Sequence, residues 1–302
     1  MKGKAMDVSL TLLGTGTPTP SLRRMCSGYL IRCGADIILF DHGFGAHHRL
    51  LELGVRAVDV SHLFLSHLHY DHMGDVPRLL LTRWDQGAGK TDELKIFGPP
   101  PTRRVIGGML DRNGVFGPDL VARTEDESSL NVYAARGGGG ARRWPSPSVQ
   151  EIAAGDCVRG TGWQVRVARA EHFAPLLDCC ALRFETDSCS IVYSGDSGPA
   201  ESVKRLAEGC DVLIHMCHYM SGTAFSPAFA KSCCGHLELA ALAAEAGVRT
   251  LVLTHITEQF DRPGLRERVI SEMAQTFKGI IIFGEDGLSV PIKGSAEPHK
   301  LD

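Results

Sequence analysis

His67-Leu68-His69-Tyr70-Asp71-His72 places three imidazoles and a carboxylate within a single short segment. It follows an apolar run at 62–65 that reads as a strand, so the cluster sits on a loop held by a sheet edge. A lone histidine is commonly a satisfied surface or core group. Three of them alternating with an aspartate in one turn are hard to explain without a metal ion. Mixed imidazole and carboxylate donors suit zinc, iron or manganese and argue against calcium, which prefers all-oxygen shells. His67 and His69 together with a further histidine suit one ion, and Asp71 and His72 suit a second. A catalytic ion also keeps one coordination position open.

Further ligands are then expected at other strand ends, and the sequence offers three. His172 follows an apolar run at 163–167. Asp196 follows the run at 190–193, within Tyr193-Ser-Gly-Asp196. His255 follows the run at 250–253, within Leu253-Thr-His255. Each residue alone has an ordinary structural explanation. Their shared placement just past a strand makes coincidence a poor account.

Outward from these segments, strands are expected at 8–13, at 29–33 and 37–40 around a Gly34-Ala-Asp36 turn, and at 179–184 and 212–214. Helices are expected at 46–53, 199–209 and 237–246. The Gly/Pro-rich stretch from Gly14 to Pro20 reads as a loop. It lacks Gly-Lys-Ser/Thr, so it is a turn rather than a phosphate cradle. Residues 84–149 form the least regular region and are expected to be an insertion or loop. Within it, Gly137–Gly140 and the following Arg142 and Arg143 suggest a mobile loop that could touch an anionic substrate. With no internal repeat and no interdomain linker, residues 1–302 are expected to form a single α/β domain, with two sheets inside and helices outside.

The chain has 302 residues, of which 43% are apolar, enough for a large core. Its formal net charge of −3 gives no global basic field to attract nucleic acid. The segment from Met1 to Asp7 lacks the apolar stretch of a secretory leader. No run approaches the roughly 18 apolar residues of a membrane span. A cytoplasmic location without membrane attachment is expected. The ten cysteines include two adjacent pairs and no C-x-x-C, so free, mostly buried thiols are expected rather than disulfides or a zinc ribbon.

The motifs together resemble the metallo-β-lactamase superfamily and, within it, the ribonuclease Z and arylsulfatase-like branch. The resemblance runs from Leu13-Gly-Thr-Gly16 through Phe40-Asp-His-Gly43, the His67–His72 cluster and Tyr193-Ser-Gly-Asp196. It continues in Gly235-His236 and ends at Leu253-Thr-His255. It implies a four-layer αββα sandwich with the metals at one edge. It further implies that His67, His69 and His172 hold one divalent ion, that Asp71, His72 and His255 hold the other, and that Asp196 bridges them. Zinc is the expected metal, with manganese or iron as alternatives. A metal-bridging hydroxide would be the nucleophile, since zinc brings the pKa of a bound water to about 7. Asp71 could accept the water's proton, and His236 resembles the donor to the leaving group.

Two departures from the ribonuclease Z pattern bear on function. In that family a glutamate following Leu-Ile-His orients the donor histidine. Here Leu213-Ile-His215 is followed by Met216, which cannot orient an imidazole. Either the donor role of His236 is weakened, or its support is expected from His215, His218 or Tyr219, which otherwise line the pocket. The second departure is a missing tRNA-gripping arm: residues 173–195, between two ligands, are mostly strand. A small ester-type substrate is therefore the leading expectation, whether phosphodiester, sulfate ester, lactone or carboxylic ester. Specificity is expected to be set around Tyr219–Phe225. A tRNA 3′-processing endonuclease is the alternative, with nucleic acid possible but not favoured. A redox di-iron protein would carry glutamate where His69 stands, and a non-catalytic scaffold would lack a ligand. A homodimer is implied by the resemblance alone.

Overall fold

The computed structural model describes residues 7–292; most of the segment read for a leader, and the ends of the 1–302 span, lie outside them. The first sheet takes β1 (Val8–Gly14), β2 (Gly28–Cys33), β3 (Asp36–His42), β4 (His62–Phe64), β5 (Lys95–Gly98) and β6 (Ser148–Glu151) in that spatial order. The second takes β7 (Cys157–Gly160), β8 (Trp163–Arg169), β9 (Cys180–Glu185), β10 (Ser190–Tyr193), β11 (Val212–Met216), β12 (Thr250–Thr254) and β13 (Ile280–Phe283), also in sequence order. Finally β14 (Ser289–Val290) returns to pair antiparallel with β1.

Side-chain alternation along the strands sorts the core into layers. Phe40, Phe64, Phe184, Ile191, Tyr193, Ile214 and Val252 meet between the sheets. Their neighbours Leu39, Leu63, Val192, Leu213 and Leu253 point to the opposite faces, where helices cover them. Over the first sheet lie α1 (Ala46–Glu52), α2 (Tyr70–Met73), α3 (Val76–Gly87), α4 (Thr102–Leu110), α5 (Gly117–Glu125) and α6 (Glu127–Ala135). On the side of the second sheet lie α7 (Glu201–Ala207), α8 (Pro227–Ser232), α9 (His236–Glu245) and α10 (Leu265–Met273). The order helix, sheet, sheet, helix is the expected αββα sandwich. At about 1.5–3 kcal/mol for each large apolar side chain fully buried, the inter-sheet layer is a major stabilising term.

The region 84–149 is not the irregular insertion expected. It holds β5 and three nine-residue helices, α4, α5 and α6, with Asp126 capping α6 through the N–H groups of Ser128 and Ser129. Arg142 is not poised for a substrate either. Its guanidinium stacks 4.0 Å over Trp84, pairs with Asp85 at 2.5 Å and is almost wholly buried. Eight of the ten cysteines are buried, and burial pushes the Cys179 and Cys180 thiols up to about 12. Such thiols are protonated and act as small apolar side chains. Among the described residues no helix is long and apolar enough to cross a membrane.

Topology decides where the loops converge. Strands β3 to β6 pair parallel, as do β10 to β13. Because β8 is antiparallel to β9 and β9 antiparallel to β10, β8 runs in the same direction as β10. The carboxyl ends of β8, β10 and β12 therefore share one edge, and His172, Asp196 and His255 come just after them.

Candidate metal centre

Six histidine and aspartate side chains gather around a seventh, Asp196, at that edge. One group consists of His67, His69, His172 and Asp196; the other of Asp71, His72, Asp196 and His255. Within each group the ligand atoms lie within 4.8 Å of one another. Asp196 Oδ2 is 4.0 Å from His67 Nε2, 3.6 Å from His172 Nε2 and 3.2 Å from His255 Nε2, while Oδ1 is 3.4 Å from His72 Nε2. Asp71 Oδ2 is 3.3 Å from both His72 Nε2 and His255 Nε2. The seven residues that the sequence singled out as ligands thus occupy one site.

The surrounding chain fixes the ring orientations. Asp41, buried at the end of β3 with φ 55°, is the hub. It accepts from the Ser66 N–H and hydroxyl at 2.7 Å each, from His72 Nδ1 at 2.7 Å and from the Tyr193 hydroxyl at 2.7 Å. The Ser66 oxygen in turn lies 3.0 Å from His67 Nδ1. His172 Nδ1 donates to the Ser232 carbonyl at 2.7 Å. With their Nδ1 hydrogens engaged, His67, His72 and His172 present Nε2 lone pairs to the site, the form in which imidazole binds metal.

Electrostatics agree with the donor set. Burial, with the neighbouring imidazoles, holds His67, His69 and His172 below the usual histidine range and favours neutral rings. Burial alone would raise Asp71, but the adjacent His255 and His72 rings bring it well below the carboxylate range. Burial also opposes charge on His72, yet Asp196 and Asp41 override it and raise this ring well above its ordinary value. That is the opposite of what a neutral ligand needs, and it has a simple cause: Asp41, Asp71 and Asp196 converge on one imidazole with no other cation among them. Its Nε2 is buried, has no hydrogen-bond partner and faces two carboxylate oxygens. A divalent cation at this spot would satisfy both the lone pair and the oxygens, so the residues fit a metal pair.

His236 begins α9, and both of its ring nitrogens are engaged. Its Nδ1 accepts from the Ser221 N–H at 3.0 Å, so Nε2 carries the hydrogen that it donates to Glu272 at 2.7 Å. The support expected from His215, His218 or Tyr219 comes instead from Ser221 and from Glu272 on α10. His215 Nδ1 bonds the Met216 carbonyl at 2.9 Å, His218 Nδ1 lies 3.1 Å from His255 Nδ1, and the Tyr219 hydroxyl reaches the Cys233 carbonyl at 3.5 Å. Burial and the nearby His255 bring His218 down to about 4. In the segment Tyr219–Phe225, Tyr219 is buried near Phe229 and Phe225 is exposed. Sequence reading passed over Asp41 as a hub, Ser66, and Glu272. Asp41 left one signal, a carboxylate ending an otherwise apolar strand.

Comparison with known proteins follows the same lines. The model of the Beta-lactamase superfamily domain matches residues 30–256. Ribonuclease Z of Mycobacterium bovis (strain BCG / Pasteur 1173P2) is 34% identical over 285 residues, covering 92% of this chain and 96% of the relative. Ribonuclease Z of Mycobacterium tuberculosis (strain ATCC 25618 / H37Rv) is also 34% identical, with the same coverage. Among solved structures, the metallo-β-lactamase fold protein YhfI from Bacillus subtilis superposes with a TM-score of 0.71 at 20% identity, over 94% of this chain and 99% of that one. The short form of human tRNase Z gives 0.65 at 19% identity, with the same coverage. These two likenesses are of fold.

Proposed function

We propose that this chain, which belongs to the metallo-β-lactamase superfamily and to its ribonuclease Z branch, hydrolyses the phosphodiester bond of a small substrate with two zinc ions. The observation that carries this reading is the pair of four-residue ligand groups sharing Asp196. The family is one of dinuclear metal-dependent hydrolases, and no expected ligand is missing here. Two divalent ions supply Lewis acidity and bring water within reach of ionisation at neutral pH. His67, His69 and His172 would hold one, Asp71, His72 and His255 the other, and Asp196 both. The Asp71 carboxylate, kept ionised by its neighbours, can also accept the proton of the attacking water. His236 serves in this reading as donor to the leaving group.

The bond type follows from the relatives: proteins named ribonuclease Z act on RNA, whose backbone linkage is a phosphodiester. Small size is supported by the shortness of the stretch 173–195, which carries β9 and β10 and leaves no room for a long arm, and by the negative net charge. A second reading, tRNA 3′-end processing, gains from one observation. The mycobacterial relatives align over 96% of their own length, so a long arm is not what sets them apart from this chain. A cytoplasmic homodimer completes the proposal.

The test is turnover by zinc-loaded protein of bis(p-nitrophenyl) phosphate, aryl sulfate, lactone and carboxylic ester, with His69→Ala as control. Diester cleavage that falls roughly 10²–10⁴-fold in the variant is expected, equivalent to losing several kcal/mol of metal assistance. Cleavage of precursor tRNA at its 3′ end, weakening steeply with salt, would favour the second reading. No diester turnover above the control would sink both.

A further inference from the structure

A ligating imidazole needs its outer nitrogen fixed, because that contact sets both the tautomer and the ring plane. For His67, His72 and His172 the fixing group is an oxygen: Ser66 Oγ, the Asp41 carboxylate and the Ser232 carbonyl. His255 differs. Its Nε2 faces Asp71 and Asp196, and its outer Nδ1 meets another imidazole, Nδ1 of His218, at 3.1 Å.

We propose that His218 is a positioning residue: it accepts the Nδ1–H of His255 and thereby aims the His255 Nε2 lone pair at the ion shared with Asp71, His72 and Asp196. The proposal rests on the two-ion reading of the site. Its geometry comes from the sheet. Met216 and Thr254 are partners at the ends of the parallel strands β11 and β12, and the Cys217 N–H donates to the Thr254 carbonyl at 2.8 Å. His218 and His255 therefore leave adjacent strand ends side by side. The backbone of His218 is held by its N–H to the Cys234 carbonyl at 2.9 Å and by its own carbonyl, which accepts from Thr257 Oγ1 at 3.3 Å. Its ring packs against Phe229.

His255 needs such a partner. Its φ of 52° lies in the left-handed region, which costs a non-glycine residue about 1–3 kcal/mol unless its surroundings impose it. The Ile256 N–H to the Thr15 carbonyl at 2.9 Å fixes the backbone beyond it, and His218 is the polar contact that fixes the outer ring nitrogen. With an ion on Nε2, a neutral His255 carries its hydrogen on Nδ1, so in this pairing Nδ1 of His218 accepts and its Nε2 carries the hydrogen. It also adds no negative charge where Asp41, Asp71 and Asp196 already converge.

The experiment compares wild type, His218→Ala and His218→Asn, whose amide carbonyl can take over the acceptor role. Zinc titration with competing chelators should show one ion bound about 10–100-fold more weakly in His218→Ala, the other unchanged, and partial recovery in His218→Asn. In the zinc-loaded protein, long-range ¹⁵N correlation spectra should show His255 with its hydrogen on Nδ1 and His218 with its hydrogen on Nε2 in wild type, and a shifted His255 Nδ1–H resonance in His218→Ala. Unchanged affinities with an unchanged His255 resonance would overturn the proposal. So would equal weakening of both ions together with a lower melting temperature, which is general destabilisation. A wild type that binds no zinc would remove the two-ion reading and this proposal with it, whereas zinc bound equally well by wild type and His218→Ala would remove the proposal alone.

Discussion

Replacing Met216 by glutamate in thought shows what this chain has done differently. The carboxylate that faces His236 arrives from α10, thirty-six positions away in sequence, as Glu272. Hydrogen bonds from Arg268 and then His236 hold that carboxyl below the usual range, so it is an ionised acceptor at neutral pH. An ionised acceptor makes the Nε2–H contact charge-assisted and fixes the ring's orientation. If His236 is the donor, His236→Ala lowers kcat by about 10²–10⁴ while leaving two zinc ions per chain, since no ligand is touched. Glu272→Gln should show a smaller loss, because the neutral amide oxygen can still accept the Nε2–H and hold the ring. Steady-state kinetics, paired with metal analysis, reads both. Unaltered kcat in His236→Ala would leave this residue as the first turn of α9 and nothing more.

Elements, rather than ligands, were where sequence reading and structure parted. The strands that end at the site were legible because each is a short apolar run closed by a polar residue, as at 190–193 and 250–254. Helices α4, α5 and α6 were not. Each has only nine residues, and Gly107-Gly108, Gly114 and Gly117-Pro118 interrupt the apolar spacing that would announce one long helix. The short β14 leaves too little pattern to read at all. Ligand identity was legible because metal chemistry restricts residue type, whereas Glu272 and His218 act through contacts that only the folded chain creates. Close approach of elements also escapes a sequence. Gly43, between β3 and α1, lies so near α2 that an added Cβ would stand 1.9 Å from the Asp71 carbonyl oxygen and 2.8 Å from Cys26 Cβ. The alanine variant must push α2, and Asp71 with it. Gly43→Ala is expected to cost about 1–3 kcal/mol of stability and to weaken zinc at the Asp71 position. Gly54→Ala is the control: φ there is 70°, so it too strains the backbone, but no atom lies within 4 Å of the added carbon and zinc affinity should hold. Equal zinc affinity in both variants would count against the packing argument.

On the scale of the whole molecule, the site is a product of sheet packing. His67, His69, Asp71 and His72 come from the edge of the first sheet, while His172, Asp196 and His255 come from the second, so neither sheet alone holds a complete ligand group. Metal affinity and the stability of the sandwich are therefore linked, and added zinc should stabilise the fold as any native-state ligand does. Buried histidines away from the site add a second linkage, with protons. Burial, with His47 and Arg78 nearby, lowers His42 to about 3, and burial lowers His215 to about 4. An unfolded chain returns both to about 6.5. Between those values the unfolded state binds protons that the folded state refuses, so these groups contribute stability above about pH 6.5 and lose it as pH falls toward 4. Each loses about 1.4 kcal/mol per pH unit inside that window, and the two together roughly twice that. His72 works in the opposite direction: its raised ring contributes stability that is complete well below about 6.5 and is lost as pH rises, so it offsets part of the fall nearest pH 7. Denaturant titrations of the metal-free protein at pH 7, 6 and 5 should show a falling unfolding free energy, and a His42→Gln, His215→Gln double variant should flatten the curve. A wild-type curve that stays level from pH 7 to 5 would mean that these rings are hydrated enough to accept protons in place, and that the β3 and β11 ends are looser than their burial indicates.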